Sequence, residues 1–214
     1  MKLATTTSDF REVDTIKERI EIINKCGFKY IDYSFGTDFQ KKSGFFGDYD
    51  AHLKDIKTLA DKLSIKFVQS HAPMGDPIIK NEKYEEFIEG NKVCIKACHD
   101  LGIPNIVVHS GYEKGISKEE CFARNKEFYE LLLPTAEKYN VEILTENFNR
   151  RWHPEIYWID NAPDLKELVD YIDHPLLKVC WDIGHGNLHD IPQHESMAIL
   201  GDKIHALHVQ DNYN

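Results

Sequence analysis

Residues 177–185 read Leu177-Lys178-Val179-Cys180-Trp181-Asp182-Ile183-Gly184-His185. An apolar run of strand length ends at a carboxylate, and a glycine follows the carboxylate at the second position. Four other apolar runs in the chain also end at a residue type that binds metal ions. These terminal residues are His71, His109, Glu146 and His208. Parallel strands arranged around a barrel bring their last side chains to one shared mouth, so the pattern predicts a single site built from several strand ends.

Strand-like and helix-like segments alternate along the chain. We predict strands at 2–5, 29–33, 65–70, 105–109, 141–146, 177–182 and 204–209, and helices at 13–25, 50–63, 81–101, 117–139, 163–172 and 193–201. Repetition of a strand followed by a helix is typical of a parallel sheet. In an open doubly wound sheet the ligand-type residues would concentrate beside one switch point, whereas here they end strands three to seven in succession. The pattern therefore favours an α/β barrel.

Chain length limits how much of such a barrel is present. The chain has 214 residues, of which 42% are hydrophobic, and we interpret residues 1–214 as one domain without a linker. A complete (β/α)8 TIM barrel has eight strand–helix units in about 250 residues. Because the sequence ends directly after the seventh predicted strand, we expect the last β/α unit to be missing from it. Strands one and seven should then not pair with each other.

Charge and apolar content narrow the class of partner. The formal net charge is −10 and no cluster of lysine and arginine stands out, which disfavours binding to nucleic acid. No stretch is apolar enough for a membrane span or for the core of a signal peptide, so we expect a cytoplasmic protein without a membrane partner. The five cysteines lack the spacing of a metal site and are expected to be reduced and structural.

Side chains alternate across a strand, so parity predicts which of them face the barrel axis. If Glu146 faces inward, then so does Leu144, while the residues between them face the helices. In the seventh strand, an inward His208 shares its face with Ala206. The same parity turns His205 outward, where we expect a structural role.

The residue types at the strand ends suit a divalent cation. Glu146, Asp182 and His208 form an oxygen-rich set, which fits Mn²⁺ or Mg²⁺, and added imidazoles shift the preference towards Zn²⁺, Co²⁺ or Fe²⁺. His71 and His109 could hold a second ion. One histidine at a strand end is usually structural, but five ligand-type residues at successive strand ends together indicate a metal site.

The tetrapeptide Asp182-Ile183-Gly184-His185 extends this set. Glycine tolerates backbone conformations that other residues avoid, so Gly184 would let the chain turn sharply out of the strand. His185 would then fold back beside Asp182 and reach either the ion or a substrate oxygen.

Several motifs resemble those of one known superfamily. They are Ile143-Leu144-Thr145-Glu146-Asn147, Cys180-Trp181-Asp182-Ile183-Gly184-His185 and His205-Ala206-Leu207-His208-Val209-Gln210-Asp211-Asn212, with further matches at 27–32 and 108–111. They resemble the strand motifs of the xylose-isomerase-like TIM-barrel superfamily. That group includes sugar phosphate isomerases and epimerases, ketose 3-epimerases, inosose dehydratases, hydroxypyruvate isomerases and zinc-dependent apurinic endonucleases. The resemblance spans nearly the whole chain and is specific for the superfamily rather than for a substrate.

The resemblance implies a role for each matching position. Glu146 would be both a metal ligand and the base that transfers a proton. Asp182 and His208 would be further ligands, and His185 would contact substrate oxygens. In the epimerases the second catalytic carboxylate is a glutamate on the eighth strand, which we expect beyond residue 214.

A metal-dependent isomerase or epimerase of a small sugar or sugar phosphate is the function that we favour. A carboxylate would remove the proton from the carbon beside a carbonyl group, and the cation would stabilise the resulting enediolate. His185, His109 and Trp152 would contact the substrate. The loops after strands two and five carry aromatic residues that could either cover the bound sugar or simply pack under these loops, namely Phe35, Phe39, Phe45, Phe46 and Trp152.

Three alternatives stay open at this point. A zinc-dependent apurinic/apyrimidinic endonuclease-like phosphodiesterase would use the same ligands, with an additional zinc at His71 and His109 and a DNA-contacting loop at 150–153. A non-catalytic barrel could bind a sugar or a protein. Dehydration of a cyclitol would fit the same ligands. The sequence identifies neither the sugar nor the oligomeric state, and a homo-oligomer is left open.

Overall fold

The computed structural model describes residues 2–10, 12–38, 48–149 and 158–210. Phe39, Phe45, Phe46 and Trp152 lie outside the described residues. The substrate contact predicted for Trp152 and the aromatic cover predicted for these four residues therefore stay predictions.

Seven parallel strands form one curled sheet in which each strand pairs with the next along the chain. The strands are β1 (Thr5–Thr6), β2 (Tyr30–Ser34), β3 (Lys66–His71), β4 (Asn105–Val107), β5 (Glu142–Glu146), β6 (Leu177–Asp182) and β7 (Ile204–His208). A doubly wound sheet reverses its strand order at a switch point, and the sequential order in the described part of the chain excludes that arrangement. The fold is TIM-barrel-like, as the sequence predicts.

Helices connect the strands and pack against the sheet. They are α1 (Ile16–Lys25), α2 (Phe35–Asp38), α3 (Tyr49–Leu63), α4 (Tyr84–Leu101), α5 (Lys118–Tyr139), α6 (Ala162–Ile172), α7 (Ile183–Gly186) and α8 (Gln193–Leu200), with a 3₁₀ turn at Gly201–Lys203. The side chains of Thr15, Asp48, Ser117 and Asn161 each accept a backbone N–H in the first turn of a helix, which satisfies an otherwise unpaired donor. Among the described residues, none of these helices is both long and apolar enough to cross a membrane.

Buried apolar side chains fall into two groups on opposite faces of the sheet. The larger group, which includes Ile143, lies between the strands and the helices. The smaller group consists of Val107, Leu144 and Cys180, with Ala206 packed against it. Leu144 and Ala206 thus share the axis side of the sheet, as parity predicts. Each residue of this small apolar layer precedes His109, Glu146, Asp182 or His208 by two positions, so the layer lies directly below these polar residues.

β1 and β7 form the two edges of the sheet. Among the described residues β1 pairs with β2 alone and β7 with β6 alone, which confirms that strands one and seven do not pair with each other. Leu3 and Val209, beside these edges, are 77% and 75% exposed. A cavity of about 1690 Å³ extends from this opening to the strand ends. The opening lies where a closed barrel would have its eighth strand.

Two strand boundaries and the residues near them differ from the sequence prediction. The first strand is Thr5–Thr6 rather than 2–5, and β4 ends at Val107 rather than at residue 109. His109 therefore lies in the loop two residues after β4. Hydrogen bonds to neighbouring strands set these boundaries, and the distribution of apolar residues along the sequence does not specify them.

The outward orientation predicted for His205 is wrong. Its Nδ1 atom lies 2.8 Å from Oε2 of Glu142, which shares the axis face of β5 with Leu144. The pairing of β6 with β7 shifts between Val179 and Cys180, because two steps along β7 match one step along β6. This bulge interrupts the alternation of side chains at His205.

Candidate metal centre and active site

Four strands end at residues of types that bind metal ions, and these residues meet at one edge of the sheet. β3 ends at His71, β5 at Glu146, β6 at Asp182 and β7 at His208. His109 joins them from the loop after β4. Since parallel strands have their carboxyl ends at the same edge, residues far apart in the sequence become neighbours there. The structure brings together all five strand-end residues that the sequence analysis singled out.

The oxygen-rich set has the spacing of a cation site. The Nδ1 atom of His208 lies 2.8 Å from Oε1 of Glu146 and 3.8 Å from Oδ2 of Asp182. One ligand atom from each residue lies within 4.8 Å of the other two. Ligands that bind one ion at about 2.0 to 2.4 Å are separated by no more than about twice that distance. Glu146, Asp182 and His208 therefore fit a single divalent cation.

A second donor group shares the Glu146 carboxylate. Oε2 of Glu146 lies 3.8 Å from Nε2 of His71 and 3.7 Å from Nε2 of His109. Ligand atoms of these three residues also lie within 4.8 Å of one another. One oxygen of Glu146 thus faces the His208 side and the other faces His71 and His109. With two imidazoles, the second group suits Zn²⁺ or Co²⁺ better than Mg²⁺.

The electrostatics of the centre favour cations. Burial alone would raise the pKa of Glu146, but the imidazoles of His208 and His71 outweigh burial and hold that pKa well below its ordinary value. Burial lowers the pKa of His71, whereas Asp32 and Glu146 raise it to a net value of about 10. Burial raises the pKa of Asp182. Glu146 is thus ionised and attracts positive charge, whereas the protonated His71 would have to release a proton to ligate a metal ion.

His109 is neutral at physiological pH. Burial lowers its pKa to about 4, against the opposing effect of Glu146. Its Nδ1 atom is buried and has no hydrogen-bond partner among the described residues. A neutral imidazole is the form that ligates metals, and Nε2 rather than Nδ1 is the His109 nitrogen that lies near Glu146. This residue therefore fits a centre that holds a metal or a polar substrate.

Asn147 fixes the ends of β5 and β6 relative to each other. Its Oδ1 accepts the backbone N–H of Asp182 at 2.7 Å, and its Nδ2 donates to the carbonyl oxygen of Asp182 at 3.0 Å. The backbone carbonyl of Asn147 lies 2.8 Å from Nδ1 of His185. Because a carbonyl only accepts, Nδ1 of His185 carries the proton in this contact, and Nε2 of the neutral ring can accept a hydrogen bond from a substrate hydroxyl.

Gly184 is required for a reason other than the predicted sharp turn. It lies inside the short helix α7, which begins where Oδ1 of Asp182 accepts the backbone N–H of His185 at 2.7 Å. A Cβ atom at position 184 would lie 2.5 Å from Cγ of Gln210 and 3.0 Å from its carbonyl oxygen. The missing side chain lets Gln210 approach closely, and the Gln210 amide donates to Oδ2 of Asp182. Gly184 thus helps to fix Asp182 through Gln210.

Three residues at the centre are missed by the sequence analysis. Asp32 and Gln69 are buried behind the imidazoles of the site. The ring of Phe148 lies edge-on to both His109 and His185, with centroid distances of 5.5 and 5.0 Å. Gln69 precedes His71 by two residues, and side chains two apart on a strand point to the same face. A polar residue at that position, facing inward like His71, is a signal that could have identified Gln69.

Of the two roles left open for Phe35, the structure shows packing and not cover of the barrel mouth. It is fully buried in the main core, with its ring 5.0 Å from that of Tyr33. α2 begins at Phe35 directly after β2, so this side chain packs into the core instead of extending over the cavity.

The sheet topology and the strand-end residues place this chain in a known class. It belongs to the xylose isomerase-like TIM barrel family, whose model matches residues 20–214. A 2-oxo-tetronate isomerase from Haemophilus influenzae is 26% identical to this chain over an alignment of 221 residues with gaps included. The alignment covers 97% of this chain and 77% of that protein.

Two solved structures illustrate the similarity in fold. The 3-keto-D-glucoside 4-epimerase YcjR from E. coli has a TM-score of 0.81 at 15% identity, over 99% of this chain and 80% of that chain. The IolI protein, solved with a zinc atom, has a TM-score of 0.79 at 24% identity, over 100% of this chain and 74% of that one. Proteins similar to this chain thus include an isomerase and an epimerase.

Proposed function

We propose that this protein is a divalent-metal-dependent isomerase or epimerase of a small sugar or sugar phosphate. The observation that carries the proposal is the position of Glu146, a buried and ionised carboxylate shared by two groups of metal-ligand residues. Glu146, Asp182 and His208 would hold the catalytic cation, with His71 and His109 available for a second one. The bound cation would supply Lewis-acid polarisation of the substrate carbonyl group.

Glu146 is the proposed base. Its carboxylate would take the proton from the carbon beside the carbonyl group and leave an enediolate on the substrate. Return of the proton to the neighbouring carbon gives isomerisation, whereas protonation of the original carbon on its opposite face gives epimerisation. The two oxygens of Glu146 face different neighbours. One oxygen could therefore bind the cation while the other takes the proton from the substrate.

His185 and His109 are the proposed substrate contacts. Nε2 of His185 would accept a hydrogen bond from a substrate hydroxyl, since its Nδ1 is held by Asn147. Phe148, between the two histidines, would exclude water from one side of the substrate. The similarity to a 2-oxo-tetronate isomerase supports testing four-carbon 2-oxo sugar acids beside ketoses and ketose phosphates.

Exchange of the carbon-bound proton tests the role of Glu146. The wild-type protein, loaded with Mn²⁺, Co²⁺ or Zn²⁺, should catalyse uptake of deuterium from deuterated water into one of these substrates. Glu146→Gln should lower the exchange rate by at least about 100-fold, because an amide cannot accept the proton. The matched control is Glu142→Gln, on the same strand and face, since Glu142 contacts His205 at the other end of β5. Near-normal exchange by Glu146→Gln would assign the base to another residue.

Phosphodiester hydrolysis at abasic sites in DNA is the second candidate, supported by the donor group of His71, His109 and Glu146. Such a centre could activate a water molecule with two ions. The net charge of −10 opposes it, because most of the affinity for DNA comes from contacts of basic residues with phosphates. Cleavage of an abasic duplex by zinc-loaded protein, without deuterium exchange in any sugar, would favour this function instead.

A further inference from the structure

A buried polar layer lies behind the imidazoles of the metal centre. The Asp32 carboxylate on β2 contacts Nδ1 of His71 at 3.0 Å through Oδ1 and at 2.8 Å through Oδ2. The Gln69 amide on β3 donates to Oδ2 of Asp32 at 2.9 Å and lies 2.7 Å from Nε2 of His208. Asp32 and Gln69 are each 7% exposed. Their polar atoms therefore depend on each other and on the two imidazoles for hydrogen bonds.

The two rings have the same orientation relative to this layer. Each uses one nitrogen for the Asp32 and Gln69 side and directs the other towards Glu146, namely Nε2 of His71 and Nδ1 of His208. The rings are stacked, with centroids 4.7 Å apart. Rotation of either ring about its Cβ–Cγ bond would break the hydrogen bond to the layer. The layer thus determines which nitrogen of His71 faces the cation site.

Asp32 could itself be a ligand, since Asp32, His71 and His208 form a third donor group. The hydrogen bonds oppose that role. The Gln69 amide lies between Oδ2 of Asp32 and Nε2 of His208, and it occupies the space where a shared ion would lie. Moreover, Nδ1 of His71 is at the distance of a charge-assisted hydrogen bond from Asp32. The contacts indicate support of ligands rather than ligation.

We propose that Asp32 is a positioning residue for the His71 imidazole, and that Gln69 holds Asp32 in place by donating to its Oδ2. This inference rests on the proposed function, because the proposed function makes His71 a metal ligand. Metal-binding histidines commonly donate their second N–H to a carboxylate, which fixes the tautomer and the orientation of the ring. Here Asp32 would accept the Nδ1 proton of His71 and leave Nε2 to face the cation site.

Metal affinity tests the proposal independently of catalysis. Purified protein is stripped with a chelator and titrated with Co²⁺, as wild type and as Asp32→Asn. We expect Asp32→Asn to bind Co²⁺ about 10- to 100-fold more weakly. The matched control is Asp55→Asn on α3, which removes the same charge at an exposed position beside Lys17 and should bind as the wild type does. Thermal unfolding of the stripped proteins checks that each variant is folded.

A second variant and a spectroscopic signal separate positioning from general stability. Gln69→Leu should weaken binding as well, and the double variant should lose less than the sum of both losses, because both residues act through one network. In the zinc-loaded wild type, the Nδ1 proton of His71 should give a strongly deshielded NMR signal that Asp32→Asn moves upfield. If Asp32→Asn does not fold, Gln69→Leu and the NMR signal of the wild type carry the test.

The outcomes distinguish this inference from the proposed function. Unchanged Co²⁺ affinity in Asp32→Asn, an equal loss in Asp55→Asn, or a zinc-loaded wild type without the His71 Nδ1 proton would overturn the positioning role alone. Failure of the wild type to bind Co²⁺, Mn²⁺ or Zn²⁺ would overturn the proposed function and, with it, this inference.

Discussion

At the scale of single residues, the centre depends on side chains whose two polar atoms contact different neighbours. Glu146 directs one oxygen to His208 and the other to His71 and His109. His185 directs one nitrogen to the carbonyl of Asn147 and keeps the other for a ligand. Under the proposed function, a substitution at Glu146 would therefore affect metal binding and proton transfer together, whereas one at His185 would affect substrate contact alone.

Loss of the His185 ring should weaken substrate binding rather than chemistry. His185→Ala should raise KM about tenfold and leave kcat within about threefold, because one hydrogen bond to a hydroxyl contributes about 1 kcal/mol. Steady-state kinetics on the substrate that the wild type converts measures both constants. His194→Ala, at an 83% exposed position on α8, is the control. If kcat instead falls as much as kcat/KM, then His185 takes part in the chemical step.

The charge on His71 should make the stability of chelator-stripped protein depend on pH. Its pKa is raised from 6.5 to about 10 in the folded state, so the protonated ring stabilises the fold fully below pH 6.5. This contribution should decline as pH rises towards 10. We expect the Tm difference between wild type and His71→Asn to be largest near pH 6 and to shrink by pH 10. A difference that grows with pH would mean that Asp32 and Glu146 do not hold the charged form.

At the scale of elements, α7 shows how a short helix can complete a site. Its first two residues connect Asp182 to His185, and its close contact with Gln210 depends on Gly184. We expect Gly184→Ala to destabilise the protein by about 1 to 3 kcal/mol, because the added methyl group collides with Gln210. Co²⁺ affinity should fall as well, since Gln210 holds a carboxylate oxygen of Asp182.

Gly36→Ala provides the comparison for this substitution. A Cβ atom there would meet its nearest neighbour, Oγ of Ser34, at 3.6 Å, which is ordinary contact. Urea unfolding of both variants, with Co²⁺ titration of each, measures the two effects. Equal stability of Gly184→Ala and Gly36→Ala would show that Gln210 moves aside without cost.

At the scale of the whole molecule, the curled sheet has two edges that face the opening between β1 and β7. An edge strand has hydrogen bonds on one side only, so it exchanges amide protons more readily than a central strand. In the 214-residue chain, we expect β7 to exchange at least about tenfold faster than β5, although the two strands have equal length. Hydrogen–deuterium exchange with peptide mapping measures this. Equal protection would show that β7 is covered by another strand.

A feature could be predicted from the sequence when the interactions that create it join residues close together along the chain. The alternation of strands and helices, the axis-facing parity of Leu144 and Ala206, and the strand ends at Glu146, Asp182 and His208 follow from local apolar patterns. The bulge at His205 does not, because it arises from the register between two strands. The sequence also left the role of Phe35 open, since its burial depends on how α2 packs after β2.

The sequence by itself determined the parallel α/β architecture and the four strand ends at His71, Glu146, Asp182 and His208, because the period and parity of apolar residues are properties of the local chain. Only the tertiary structure placed Asp32 and Gln69 behind His71 and His208, divided the Glu146 carboxylate between two donor groups, and made Gly184 necessary for the approach of Gln210. Those relations join atoms on different strands. Their distances are set by sheet register and curvature, which no local pattern of residues encodes.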